Sequence, residues 1–312
     1  MLNAKLKFPP KCQRVSAFSL QPSAFACSAF TLLELLVVIS ILGILAALTV
    51  PALKNLGKSN VQVSAARQLL DDMGRARQLA IRQHTTVYMV FVSTNFWQLS
   101  TRPNFLKSPT FPNIWWNRLT PAQQTIATNL CGSQLTGYTF VSLRSVGDQP
   151  GQGTPHYLSS WQTLPDGNFI AQQKFQSPTS LPFYISGYNS TVPIYGFSLT
   201  NNIPFPTEDS LVFSGVSPGL YLPYIAFNYL GQLTFDGLNL AQRDEYIPLA
   251  QGTVSPAINP ATKTFVLSAG SSPTVTENPA GNSGVGNTNL SYNIIHIDRL
   301  TGRATLEYYR MQ

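Results

Sequence analysis

Residues 30–50 read FTLLELLVVISILGILAALTV, an apolar run whose one charged position is Glu34. A helix needs ~20 apolar residues to cross a bilayer, and this run meets that length. It exceeds the ~7–15-residue core of a secretory signal, which also carries no acid. The pattern then changes. Ala66, Leu69, Met73, Ala76 and Ala80 step by three and four residues, and Leu70 and Leu79 widen the stripe. That spacing predicts an amphipathic helix laid over a core. Asp71 and Arg75 are spaced as a favourable i,i+4 pair on the other side. Pro51, between the two patterns, has no amide hydrogen to donate, which predicts a kink rather than an end. One helix from Phe30 to about Gln83 follows, ~80 Å long at 1.5 Å per residue.

Beyond that helix the periodicity shortens to two. Residues 85–93, TTVYMVFVS, read as a strand, with 96–100 returning antiparallel. The middle, 102–207, is rich in Pro, Gly, Gln, Asn and Ser, and only short strands at 138–143 and 193–199 stand out. Residues 224–230 and 232–235 suggest a hairpin around Gly231, and 263–267 a further strand. Residues 268–288 are Gly/Ser-rich and read as a loop. Residues 292–298 and 303–309 alternate well and flank a turn at Thr301-Gly302. The fold class is therefore α+β, one long N-terminal helix on a β-rich head.

Charge changes the picture less than it first suggests. The net charge is +7, with 20 basic and 13 acidic residues. Lys5, Lys7, Lys11 and Arg14 lie before the apolar run, where there is no acid, and without them 16 basic residues face 13 acids. The head therefore gives no strong nucleic-acid signal. The same four residues, against Lys54 and Lys58 just after the run, place the N-terminus in the cytoplasm and the head outside it. Of three cysteines, Cys12 and Cys27 precede the run, and loss of that segment leaves Cys131 without a disulfide partner. Ala24-Phe25-Ala26-Cys27 is no lipobox, because the apolar run follows the cysteine. A cleaved signal ending near Val50-Pro51-Ala52 is the weaker reading of the same segment.

Glu34 is the informative residue. A carboxylate costs ~2.5–3.5 kcal/mol at mid-membrane and less near the edge. It could sit at the interface and snorkel. Yet Ala29, before the run, is small, and cleavage after it frees an amine on Phe30. Phe30 and Glu34 share a helix face, so the acid gains a cationic partner in its own chain or a neighbour's. The run Phe30-Thr31-Leu32-Leu33-Glu34-Leu35-Leu36-Val37-Val38-Ile39, then Gly43-Ile44-Leu45-Ala46-Ala47 and Pro51, resembles the type IV prepilins and type II secretion pseudopilins. That family usually has Gly where Ala29 stands, and this leader is long, with Pro9, Pro10 and Pro22.

The resemblance implies a leader at 1–29, a transmembrane half-helix at 30–50, an amphipathic half at 51–84 and a periplasmic or extracellular head at 85–312. It implies a single-pass inner-membrane protein. A prepilin peptidase cuts between Ala29 and Phe30 and methylates the new amine. Glu34 then guides assembly with other pilin or pseudopilin subunits, and Pro51 kinks the helix. No cofactor or metal is implied, nor an enzyme. A weaker likeness to H-type pseudopilins and FimT-type minor pilins rests on Ala80-Ile81-Arg82, on Ala226-Phe227-Asn228 through Gly231, and on Ile297-Asp298 through Thr301-Gly302-Arg303.

Candidate chemistry in the head is thin. Gly215-Val216-Ser217-Pro218-Gly219 has nucleophile-elbow spacing, but prolines follow where a helix is needed. Residues 281–286, GNSGVG, lack the lysine of a phosphate loop. His84, His156 and His296 have no ligand or triad spacing. Asp236, Asp244 and Glu245 lack a calcium-loop pattern and read as solvated turn residues. Arg299, Arg303 and Arg310, with Tyr308 and Tyr309, could serve single-stranded nucleic acid, but Asp298 and Glu307 dilute their charge. A DNA-uptake minor pilin is the alternative within the class, and a membrane-anchored or secreted enzyme the alternative outside it.

Overall fold

The computed structural model describes residues 31–98, 116–145, 147–149, 153–176, 181–186, 191–210, 220–268, 271–277 and 291–310, with backbone alone at 47–61, 98, 186, 191, 291–292 and 308–310. The chain divides into two compact units, Met1–Leu53 and Lys54–Gln312. The first contributes the start of α1 (Leu32–Gln83), which continues in helical conformation through Pro51. Among the described residues no helix is long and apolar enough to cross a membrane. Side chains of the apolar run are described only up to Ala46, which falls short of the ~20 residues a crossing needs.

In the second unit α1 lays the expected stripe on the head: Ala66, Leu69, Met73, Ala76 and Ala80 are fully buried. It ends at Gln83 because His84 turns left-handed, with φ 49°. The His84 and Thr85 amides donate back to the Ile81 and Ala80 carbonyls, closing the last turn. Asp71 and Arg75 form no ion pair. Arg75 lies instead over the Phe140 ring, 5.8 Å from its centroid.

The head follows in order: β1 (Val87–Phe91), α2 (Pro121–Asn129), β2 (Gly137–Ser142), β3 (His156–Tyr157), β4 (Gln162–Thr163), β5 (Asn168–Ile170) and α3 (Gln172–Gln176). Then come β6 (Phe183–Ser186), β7 (Thr191–Ile194), β8 (Tyr224–Phe227), β9 (Leu233–Thr234), β10 (Glu245–Ser255), β11 (Thr274–Glu277), β12 (Ser291–Ile297) and β13 (Ala304–Arg310). One antiparallel sheet runs β3-β2-β1-β8-β9, with β4 also on β2. A second runs β11-β10-β12-β13, with β5 also on β10, and β6 and β7 form a ribbon.

The two sheets turn their inner faces to the α1 stripe. Val87, Met89, Phe91, Phe140 and Ile225 from the first meet Ile247, Leu249, Ile295 and Ile297 from the second in one core. Because strand side chains alternate, Tyr88, Val90 and Val92 point the other way. There they pack with Ala127 of α2, Leu130, Cys131, Phe205 and Leu222. β1 is thus buried on both faces, which explains its unbroken apolar sequence. Ile294, on the outer face of the second sheet, packs on Ile185, Val192 and Ile194 of the ribbon.

Several expected strands take other forms. Residues 96–98 are a 3-10 turn, not a returning strand. Asn95 has φ 54°, and Phe96 and Trp97 are both buried, which a strand with one solvent face could not achieve for neighbouring residues. The expected strand at 263–267 is only an isolated bridge, Ile258 to Phe265, because Lys263 turns the chain at φ 57°. Within the expected loop at 268–288, Thr274–Glu277 pairs with β10, and Val275 packs beside Phe169 and Ala250. The strand expected at 193–199 stops at Ile194, and Ser198 only bridges to Tyr224. The hairpins around Gly231 and Thr301-Gly302 form as expected, the former with φ 78° at Gly231.

Candidate assembly segment

α1 starts with a local cap. The Thr31 hydroxyl accepts the Glu34 amide at 3.2 Å, and the Thr31 carbonyl accepts the Leu35 amide at 3.2 Å. Thr31 is therefore the cap and Glu34 stands in the first turn, where the positive end of the helix dipole favours an acid. Every residue from Thr31 to Ala46 is exposed, Leu32 at 81% and Ile44 at 63%. A cylinder of bare leucine, isoleucine and valine is the kind of surface that a membrane or a partner covers. Ala29 and Phe30 lie outside the described residues, and of Pro51 only the helical backbone is described.

The head engages α1 through polar contacts as well as the stripe. Gln68 donates to the Tyr138 hydroxyl at 2.8 Å and to the Thr163 carbonyl at 3.0 Å. Tyr138 in turn donates to Asp72. Arg77 Nε donates to the Thr301 carbonyl at 2.7 Å and the Gly231 carbonyl at 3.2 Å.

Several candidate residues of the head have structural partners. The Tyr157 amide, then the His156 ring, hold the Glu208 carboxyl below the usual carboxylate range. Asp236 accepts the Leu238 and Asn239 amides within its own turn. Asp244 and Glu245 are not solvated turn residues. Asp244 accepts the Arg299 amide and faces His296, while Glu245 pairs with the fully buried Lys174. The Thr301 hydroxyl, then its amide, lower the pKa of Asp298. Arg299 donates its guanidinium to the Gln242 carbonyl, which turns it back onto the head. Arg303 is exposed, and of Tyr308, Tyr309 and Arg310 the backbone alone is described. Residues 215–219, with Ser217, and 281–286 lie outside the described residues. Among the described residues no cluster of three or more histidine, cysteine or acidic side chains could hold a metal ion.

Residues 25–50 match the family model of the prokaryotic N-terminal methylation motif. The chain carries the prepilin-type signature. The matched stretch takes in Ala29, Phe30 and Glu34 and stops just short of Pro51. No curated relative and no solved structure matches the chain. The prepilin-type signature thus sits on the capped, bare start of α1. Sequence reading missed the cap itself, although Thr31-x-x-Glu34 is the spacing of a capping box and was legible there. It also missed Lys174, whose partner Glu245 is far along the chain.

Proposed function

We propose that this protein is a non-enzymatic structural subunit of a type IV pilus or type II secretion pseudopilus. The observation that carries the reading is the methylation motif at residues 25–50 on an exposed apolar helix start, followed by a β-rich head. In this reading residues 30–50 cross the inner membrane with the N-terminus in the cytoplasm and the head in the periplasm. A prepilin peptidase cuts between Ala29 and Phe30 and methylates the new amine. Glu34 pairs with the Phe30 amine, most usefully that of a neighbouring subunit. Breaking a buried charge pair costs ~3–5 kcal/mol, because one charge is left uncompensated. Only one axial offset brings the two charges together, so the pair also sets register.

The test is co-expression of Glu34→Ala and Glu34→Asp with wild-type subunits, with separation of membranes from sheared filaments and N-terminal sequencing of each fraction. Glu34→Ala should insert normally and enter filaments poorly, and Glu34→Asp should fall between it and wild type. Mature chains should begin at Phe30. Equal entry of Glu34→Ala and wild type into filaments would reduce Glu34 to an interfacial residue. A chain retaining Lys5 to Arg14 would refute the processing step.

A further inference from the structure

A cleft of about 520 Å³ opens beside the C-terminal end of α1. Its walls are the end of α1 with Thr85 and Thr86, the loop after β2, the β8–β9 turn and the loop after β9. Tyr88 of β1 lines it too, and all of these segments belong to the second unit. Several polar groups in it are unspent. Among the described residues the Arg144 guanidinium, the His84 ring and the Tyr229 hydroxyl have no hydrogen bond or ion pair. Asp148 feels the Arg144 charge, yet it takes its hydrogen bonds from the Ser145 and Thr154 amides. Tyr88 is only 5% exposed. Its hydroxyl accepts the Asn201 side-chain amide at 3.3 Å, and among the described residues no group accepts its proton. Burial, then Tyr224 and Asp236, push the Tyr88 pKa up, so it stays a donor.

The other side chains have the opposite character. The hydroxyls of Thr85, Thr86 and Ser145 give their protons to the carbonyls of Arg144, Gly237 and Thr154. A hydroxyl has one proton and two lone pairs, so these three offer a ligand only acceptors. Asp236 is the one acid of the described lining, and three N–H groups of its own turn hold its carboxylate. A second cleft, of about 420 Å³, shares Asp236 and shows the contrast. Its Ser198 and Tyr224 both donate to the Phe235 carbonyl, and its Thr234 donates to the Asn239 carbonyl.

Convergent, uncommitted polar groups in a cleft of this size mark a binding site. We propose that the cleft beside α1 binds an acidic sugar residue of a polysaccharide. The sugar carboxylate takes two parallel hydrogen bonds from Arg144 and one from the His84 N–H. Sugar hydroxyls donate to Thr85, Thr86 and Ser145, and one accepts the Tyr88 proton. Tyr229 and Leu238, both exposed at the cleft, supply an apolar surface. The negative face of an aromatic ring attracts the C–H groups of a pyranose. A bare inorganic anion has no such face, and a neutral sugar leaves Arg144 without its carboxylate. His84 carries a further mark. It holds φ 49° at the end of α1, where glycine is the usual residue, so a strained backbone keeps an imidazole at the cleft.

The experiment is saturation-transfer NMR on the full chain in uncharged detergent micelles. The probes are oligomers of galacturonic and glucuronic acid, with the corresponding neutral galactose and glucose oligomers beside them. The acidic oligomers should bind and the neutral ones should not. Arg144→Gln should weaken binding ~10-fold or more, the loss expected for a charge-assisted hydrogen bond. Tyr88→Phe should weaken it as well. His84→Gly should weaken binding while holding or raising the denaturant midpoint, since glycine suits the left-handed cap. That opposite movement separates ligand contact from damage to the fold. Binding of no acidic oligomer, or equal binding of acidic and neutral ones, would overturn the site. Single-stranded DNA that displaces the acidic oligomers in an Arg144-dependent way would overturn it too, assigning the cleft to a phosphodiester.

Discussion

Arg77 Nε donates to the Thr301 carbonyl at 2.7 Å, tying the upper part of α1 to the turn between β12 and β13. The same N–H reaches the Gly231 carbonyl, so one arginine fixes two turns that arise from distant parts of the chain. Gly302 beside it has φ 63°, and a Cβ there would stand 1.9 Å from the Gly231 carbonyl oxygen. The helix, the β8–β9 turn and the β12–β13 turn form one joint.

Both halves of that joint can be measured. Arg77→Ala should destabilise the protein by ~1–3 kcal/mol, the range for a lost hydrogen bond from a charged donor with carbonyls left behind. Gly302→Ala should cost more, roughly 3 kcal/mol, because it adds backbone strain to a steric clash. Denaturant unfolding of the two variants gives the order. A Gly302→Ala variant milder than Arg77→Ala would show that the turn can shift and that the joint is soft.

Lys174 offers a second test. Its ammonium is fully buried against the Phe197 ring, 4.8 Å from the centroid, and bonds the Tyr195 carbonyl and Glu245. Burial pulls its pKa down, and Glu245 opposes that pull. Lys174→Met strands the Glu245 carboxylate and should cost about 3 kcal/mol. Adding Glu245→Gln should recover part of that loss, since the uncompensated charge is gone. A double-mutant cycle on unfolding free energy reads the coupling. If the double variant is no more stable than Lys174→Met, the pair contributes through packing alone.

Cys131 should be inert in the native protein. Burial pushes its thiol up to about 12, and its Sγ sits 3.9 Å from the Ala127 carbonyl in the core behind β1. Because the thiolate is the reactive species, iodoacetamide at pH 8 should leave Cys131 unmodified in folded protein and label it on unfolding. Peptide-resolved mass spectrometry separates it from Cys12 and Cys27. Labelling as fast in native as in denatured protein would place Cys131 outside the core.

The sequence by itself determined the long helix and its two faces. These rest on local periodicity: an apolar run with one acid, then Ala66, Leu69, Met73, Ala76 and Ala80 at helical spacing, all of which the fold buries. It also determined β1 and the C-terminal hairpin, where β-branched and apolar residues alternate over several positions and a glycine marks the turn. Tertiary structure decided the rest. Strands as short as β3, β4 and β9 have too few residues to show a period, and they exist only because a longer neighbour supplies their hydrogen bonds. Phe96 and Trp97 look like strand residues, yet a left-handed Asn95 folds both into the core. Asp244, Glu245 and His296 look solvated when taken singly. Their partners, Arg299, Lys174 and Glu307, reach them only because the sheet brings β10, β12 and β13 side by side, and no local spacing records that.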